Sequence, residues 1–375
     1  PRMPSASAPR PPLPSQTHAR IEDVAAVAAE LRRGVAQRIV GLEEPVEQLL
    51  ITLLTGSHAL LEGVPGLAKT LLLSSLAELL DLKFNRIQFT PDLMPSDVTG
   101  SEYLVQDPLT GQREFRFAPG PVFAHVVLAD EINRAPPKTQ AALMEAMEER
   151  QVTSLGVSRR LEDPFFVLAT QNPLEQEGTY PLPAAQLDRF LFKIHLGYPT
   201  FEQEARIARL TAIAPATLKP LVTRERFLEL RGAILASPIA PPLVRYAVEL
   251  VAATRPQAGR MPERLKDYLE WGAGPRAAQA LVNGARVRAA LAGRVVADVE
   301  DVRALAGPVL RHRLVLSYAA QADDVDAEGV VARLLEDVPC PGRSTALPRP
   351  GWLRRAWDAL RRPAPAYGSQ PSRVP

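Results

Sequence analysis

Apolar residues recur at helical spacing near the start of the chain, with Ile21, Val24, Val27, Ala28 and Leu31 on one face. This spacing predicts a helix, and a second is predicted over residues 45–55. The texture then changes to short apolar runs at 58–61, 85–89, 125–129, 165–169 and 190–196. Each has strand length, and helical patterns separate several of them. Strands alternating with helices predict a parallel sheet covered on both faces. From about residue 215 the strand signal stops. Leu243, Tyr246, Ala247, Leu250 and Val251 mark one amphipathic helix, and Ala277, Ala280, Leu281 and Ala285 mark another over 276–292. Asp298 is predicted to cap a helix over 299–310, with Asp301 completing a capping box. The expected organisation is an α/β core over 21–212 and a small all-α domain over 213–338.

Composition changes the picture at the two ends. Of 37 prolines, 14 fall in the first 20 and last 40 residues. Residues 1–20 carry three arginines and no acid, and residues 341–375 carry seven arginines and one acid, Asp358. Such segments bury too little apolar surface to offset chain entropy, so 1–20 and 339–375 are expected to be disordered. The net charge of the chain is +2, so the residues between the tails carry about −7. A mildly acidic core argues against nucleic acid as a partner. One cysteine, Cys340, excludes a disulfide scaffold and a cysteine-based zinc site. No apolar run has the length of a membrane span, and the first twenty residues do not read as a secretory signal. A cytoplasmic location is the default expectation.

The chemistry concentrates at the ends of the predicted strands. The first strand runs into Gly63, Val64, Pro65, Gly66, Leu67, Ala68, Lys69 and Thr70, followed by an apolar helix. Glycines let backbone N–H groups turn toward phosphate oxygens, and a helix N-terminus adds positive potential. Lys69 would reach the β- and γ-phosphates of a nucleotide, and Thr70 would ligate Mg²⁺. The general pattern has Gly before the Lys, where this chain has Ala68. About sixty residues on, the run 126–129 ends in Asp130 and Glu131. A parallel strand delivers such side chains to the ligand edge of the sheet. Asp130 is placed to hold Mg²⁺ through water, and Glu131 to activate an attacking water as general base. Asn172, after the strand at 165–169, could fix that water or sense the γ-phosphate, although a turn-forming Asn before Pro173 is the simpler reading. Arg189, at a strand start, reads as a surface ion-pair residue, or in an oligomer as a group that stabilises the transition state of a neighbour's site. Arg276, held at a helix start by Pro275, reads as a solvated arginine or as one that faces the nucleotide.

The order and wording of these pieces resemble the MoxR family of AAA+ ATPases. The likeness rests on residues 63–70, on Asp130-Glu131-Ile132-Asn133-Arg134-Ala135-Pro136-Pro137, on 141–152, on Ala169-Thr170-Gln171-Asn172-Pro173, and on 176–183 and 186–190. It covers about 21–335. The resemblance implies an AAA+ P-loop NTPase core with a parallel sheet and a helical lid, using ATP and Mg²⁺. Lys69 and Thr70 match the Walker A residues, Asp130 and Glu131 the Walker B pair, and Asn172 sensor 1. Arg189 matches the arginine finger and Arg276 the sensor 2 arginine, which could act on its own or a neighbour's nucleotide. Val40 and Gly41 lie where the family packs against adenine, and the family commonly has Ala at the position of Ala68. Two positions depart from the pattern: Ala184 stands where Glu is usual, and Gly274 where Ser is frequent. The family further implies a ring, expected to be a hexamer, that remodels or matures client proteins with von Willebrand factor A domain partners. The alternatives are an AAA+ ATPase acting on nucleic acid and the motor subunit of a metal chelatase.

Two hairpins are expected, one pairing 100–105 with 114–117 and one over 150–163 with Gly156 near its tip. Both plain surface hairpins and elements near a pore or partner face fit these patterns. His125 reads as a strand-start residue, and His312 as a charge favoured at a helix C-terminus. From Trp352 to Arg362, the residues Trp352, Leu353, Ala356, Trp357 and Leu360 share one face with arginines opposite. This is a basic amphipathic pattern that would dock on its own domain, on a partner groove or on a membrane surface.

Overall fold

The computed structural model describes residues 14–106, 113–154, 156–173, 178–210 and 216–341. The tip of the first hairpin and the amphipathic segment from Trp352 to Arg362 lie outside them. Helix α1 (Pro14–Val35) begins inside the stretch whose composition reads as a tail. Its residues Ile21, Val24, Ala28 and Leu31 are buried, as their spacing requires. Helix α2 (Glu43–Thr55) stops at Gly56, whose left-handed φ of 70° lets its N–H reach back to the last turn. Strand β1 (His58–Glu62), helix α3 (Lys69–Leu79) and strand β2 (Phe84–Gln88) follow.

A short helix α4 (Pro95–Thr99) leads into a hairpin of β3 (Gly100–Gln106) and β4 (Arg113–Pro119). Strand β5 (Val126–Asp130), helix α5 (Pro137–Glu149), a second hairpin of β6 (Gln151–Ser154) and β7 (Val157–Arg160), and strand β8 (Phe166–Gln171) come next. Helix α6 (Ala184–Leu187), strand β9 (Phe190–His195) and helix α7 (Phe201–Leu210) complete the α/β part. The five apolar runs form one parallel sheet in the order β2-β5-β8-β1-β9. The central strands β5, β8 and β1 are buried nearly throughout and read as continuous apolar runs, whereas β2 at the rim carries Asn85, Arg86 and Gln88. Leu143, Met144 and Met147 of α5 pack in one cluster with Leu60, Val127, Ala129, Val167 and Ala169 of the sheet.

The remainder is largely helical: α8 (Arg224–Leu235), α9 (Pro241–Ala252), α10 (Pro275–Leu291), α11 (Val299–Leu310), α12 (Tyr318–Ala322) and α13 (Ala327–Asp337). The capping box of α11 is present: Asp298 accepts the Asp301 N–H at 3.1 Å, and Asp301 accepts the Asp298 N–H at 2.9 Å. Asp301 is fully buried, and Arg288 and Arg294 supply its charge partners at 2.8 and 2.6 Å. The all-α expectation needs one correction. Between α9 and α12, β10 (Leu269–Trp271) and β11 (Val315–Leu316) form an antiparallel pair. Strands of three and two residues are too short to show an alternating pattern. The described residues up to Val338 form a single unit, with α10 packed on α2 and α11 packed on β9. Among the described residues no helix is long and apolar enough to cross a membrane.

His312 also departs from expectation. It is buried rather than exposed at a helix end, and burial pushes its pKa well below 6.5. It is therefore neutral, and its Nε2 donates to the Phe190 carbonyl at 3.1 Å. His58 behaves alike: burial and the charge of Arg150 push its pKa down to about 3. Its Nδ1 accepts the Val167 N–H at 3.0 Å and its Nε2 donates to the Met147 carbonyl at 3.3 Å. His125 is structural, as expected, with its Nδ1 accepting the Lys83 N–H at 3.0 Å.

Both buried histidines are depressed groups that titrate near 6.5 once unfolded. Their neutral state is at no disadvantage above that pH, and stability falls as pH drops below it, by up to about 1.4 kcal/mol per pH unit for each. At pH 5, His58→Gln is therefore expected to remove about one proton from the uptake on unfolding. Urea unfolding of both proteins between pH 5 and 8 would check this. Parallel stability profiles would mean that His58 is not held neutral.

Candidate active site

In a parallel sheet every strand ends at the same edge. Glu62, Gln88, Asp130, Gln171 and His195, the last residues of the five strands, therefore line one side of the core. The loop 63–68 leaves that edge, with the Gly63 N–H donating to the Gln171 carbonyl at 3.3 Å. Gly66 has a φ of +88° and open space where a side chain would sit. Ala68 is left-handed as well, with φ 54° and ψ 25°, a conformation that costs an alanine about 1–2 kcal/mol. Lys69 Nζ donates to the Gly63 carbonyl at 2.6 Å and so closes the loop on itself. Burial lowers its pKa, while Asp130 and Glu131 raise it. Helix α3 starts without a side-chain cap, so its first N–H groups are available to an anion. Thr70 sits in its first turn, half-buried.

The two acids lie beside this loop and are held by four residues that motif reasoning did not select. Asp130 accepts the Thr170 hydroxyl at 2.6 Å through one oxygen, and pairs through the other with Arg86 at 2.7 Å. Glu131 has a left-handed φ of 57°, and its N–H donates to Thr170 Oγ1 at 2.8 Å. Its Oε2 accepts from Gln88 at 2.8 Å and from Arg134 at 2.9 Å. Thr170 thus fixes both neighbours at once, donating to one and accepting from the other. The β2–β5 register places Gln88 opposite Asp130, a fact no local pattern contains. Asn172 follows β8 at the same edge and is buried. Gly41 has a φ of +77° and lies directly against the Gln203 side chain in the first turn of α7. Val40 and Gly41 are thereby packed beside the chain that leaves β9.

Arg189 and Arg276 are elsewhere. Ser57 and Arg189 immediately precede β1 and β9, at the opposite edge of the sheet, and line a polar cavity of about 210 Å³ with Arg276 and Arg313. Arg189 donates to the Met144 carbonyl at 3.1 Å and is ion-paired with Glu148. Arg276 pairs with the other oxygen of Glu148 at 2.8 Å and lies 4.0 Å from Asp188. Arg313 is buried, which lowers its pKa, and Asp188 answers its charge at 2.8 Å. At about 3.3 Å per residue, the length of β1 puts roughly 15 Å between this cavity and the loop of the same chain. That is further than an arginine side chain reaches.

Residues 58–192 match the model of the ATPase family associated with various cellular activities, and residues 261–334 match an AAA lid domain. Chaperone MoxR1 of Mycobacterium tuberculosis is 43% identical, over 88% of this chain and 87% of its own. Protein MoxR of Methylorubrum extorquens is 32% identical, over 86% and 98%. The chain belongs to the MoxR family of AAA+ ATPases. The uncharacterised Bacillus subtilis protein YeaC is similar to it at 39% identity, over 87% of this chain and 98% of YeaC. A crystal structure of a Cytophaga hutchinsonii protein assigned as an ATPase superposes with a TM-score of 0.80 at 40% identity, covering 87% of this chain and 98% of that one.

Within this MoxR-family fold both departures from the family pattern lie at helix starts. Ala184 is exposed at the start of α6, and Gly274 caps α10 with its backbone alone. The strain at Ala68 is local and testable. Ala68→Gly relieves the left-handed alanine but loosens the unfolded chain, for a net gain of about 0.5–1 kcal/mol. A higher urea midpoint with an unchanged m-value is expected. A lower midpoint would show that Ala68 carries no strain.

Proposed function

We propose that this chain hydrolyses ATP at a site completed by a second copy of itself. The observation that carries the proposal is the placement of Lys69, Asp130 and Glu131 at one edge of the sheet and of Arg189 and Arg276 at the other. A head-to-tail neighbour would bring its arginine edge to this chain's loop edge, and repetition of that contact closes a ring. The family likeness supports a hexamer.

The loop 63–68, Lys69 and the first turn of α3 would hold the triphosphate, with Val40 and Gly41 beside the base. Thr70 and Asp130 would hold Mg²⁺. A hydroxyl and a carboxylate are the oxygen donors that ion prefers. When bound, the ion would neutralise charge on the nucleotide phosphates. Glu131 takes a proton from the attacking water. Its Oε2 is already committed to Gln88 and Arg134, which leaves Oε1 for that task. Asn172 orients the water. Arg189 and Arg276 of the adjacent copy meet the charge that develops on the transferred phosphoryl group, so both arginines act in trans. By family analogy the cycle would remodel or mature client proteins, with von Willebrand factor A domain proteins as partners.

The test is ATPase rate against protein concentration. Specific activity is expected to rise with concentration, and Glu131→Gln to bind ATP without turnover. Arg189→Ala should bind ATP normally and lose at least about 10³-fold in kcat. Flat activity with concentration, indifferent to Arg189, would point to a monomeric nucleotide switch instead.

A further inference from the structure

Glu148 lies in the last turn of α5 and touches both arginines of the far edge. Its Oε1 accepts from Arg276 Nη2 at 2.8 Å, and its Oε2 is ion-paired with Arg189 Nη2. One turn earlier on the same helix, the Met144 carbonyl accepts from Arg189 Nη1 at 3.1 Å. A single turn of a core helix therefore grips Arg189 at two points and Arg276, on the lid helix α10, at a third.

The charges around the cavity make this grip consequential. Arg189, Arg276 and Arg313 all line it, and Asp188 is already engaged by Arg313 at 2.8 Å. Arg276 is 4.0 Å from Asp188 at nearest approach, a weak contact. Among the described residues Glu148 is the one carboxylate paired with both Arg189 and Arg276. Without it, two like charges share a small polar space and move apart.

Nor is Glu148 placed for the good of its own helix. The last turn of α5 holds no basic residue, and an acid there opposes the helix dipole. The pairs it makes are partly exposed, with Arg276 at 48% and Glu148 at 37%, so they add little to stability. What the carboxylate does supply is geometry.

We propose that Glu148 is a positioning residue that holds Arg189 and Arg276 together as one unit, presented to the nucleotide of the adjacent subunit. The proposal rests on the shared-site reading. It couples a core residue to the lid, so that both guanidiniums arrive at the neighbour's phosphates in a fixed relative position. Misplacing such groups by an ångström lowers the rate without weakening substrate binding.

The experiment is a mutant cycle in the full chain with Glu148→Ala, Arg189→Ala and the double variant, alongside Glu148→Gln. Steady-state ATPase is read as kcat and KM separately, with a thermal melt for each protein. Glu148→Ala is expected to lower kcat by between about 10- and 100-fold, with KM for ATP within about twofold and the melt unchanged. Glu148→Gln retains one acceptor oxygen and should recover part of the loss. In the Arg189→Ala background, Glu148→Ala should cost clearly less than in the wild type, because only its hold on Arg276 remains to be lost. The positioning role is overturned if Arg189→Ala is crippling while Glu148→Ala leaves kcat at the wild-type value. Independent, multiplying losses, or a kcat that rises, overturn it too. If Arg189→Ala itself is silent, the shared-site reading falls and takes this proposal with it.

Discussion

The direction of the parallel sheet is the constraint on which everything else depends. Five strands running one way have two chemically different edges. The carboxyl edge receives the loop after β1, the acids after β5 and the polar residue after β8. The amino edge receives what precedes the strands, Ser57 before β1 and Arg189 before β9. Helices α5 and α10 then deliver Glu148 and Arg276 to that same amino edge. A single subunit therefore carries the loop edge and the arginine edge roughly 15 Å apart, and under the proposed shared site it cannot close them on each other. This is a geometric consequence of strand polarity.

Each edge has its own electrostatic problem and solves it differently. At the carboxyl edge, two adjacent acids are pinned by hydrogen bonds and cations: Thr170 on both, Arg86 on one, Gln88 and Arg134 on the other. The backbone is strained there, with left-handed φ values at Ala68 and Glu131. Strain of this kind persists where surrounding bonds over-determine the conformation. At the amino edge the excess is positive, and Asp188 and Glu148 divide three guanidiniums between them. Arg313, the most buried of the three, has Asp188 at 2.8 Å and the carbonyls of Asp188, Phe190 and Leu191 as further partners, as a charge removed from water requires.

How much of this could be read beforehand depended on whether the signal was local. The five strands, the P-loop, Asp130 and Glu131, both hairpins and the α11 capping box are written in contiguous residues, and their patterns translate directly into structure. Thr170 belongs to the run from Ala169 to Pro173, but its double role needs β5 beside β8. Arg86 and Gln88 depend on the β2–β5 register. Glu148 looks like any helix-surface acid until Arg189 and Arg276 arrive from 41 and 128 positions away. His312 lies between Arg311 and Arg313 in sequence, a context that reads as positive charge at a helix end. In space it sits against the Phe190 carbonyl, and burial decides its charge. The pair β10–β11 escaped because five residues hold no periodicity.

The edge strand β9 couples lid to core in this fold. A strand at the rim of a sheet leaves carbonyls unpaired and must cover them. Among the described residues no sixth strand does so. His312 donates to the Phe190 carbonyl at 3.1 Å, and Arg313 donates to the carbonyls of Asp188, Phe190 and Leu191 at 3.0, 2.6 and 3.2 Å. Both residues directly follow α11, a lid helix that packs along β9. The backbone that presents Arg189 is therefore satisfied by lid side chains, and any shift of the lid must either carry β9 with it or leave those carbonyls buried without a partner. Burying an unpaired carbonyl costs about 1–3 kcal/mol, which favours the first. The far end of β9 leads through Gly197 to the helix whose Gln203 packs on Gly41. One strand thus joins the segment packed on Gly41, proposed to lie beside the base, to the arginine edge, and the lid grips it where Arg189 begins.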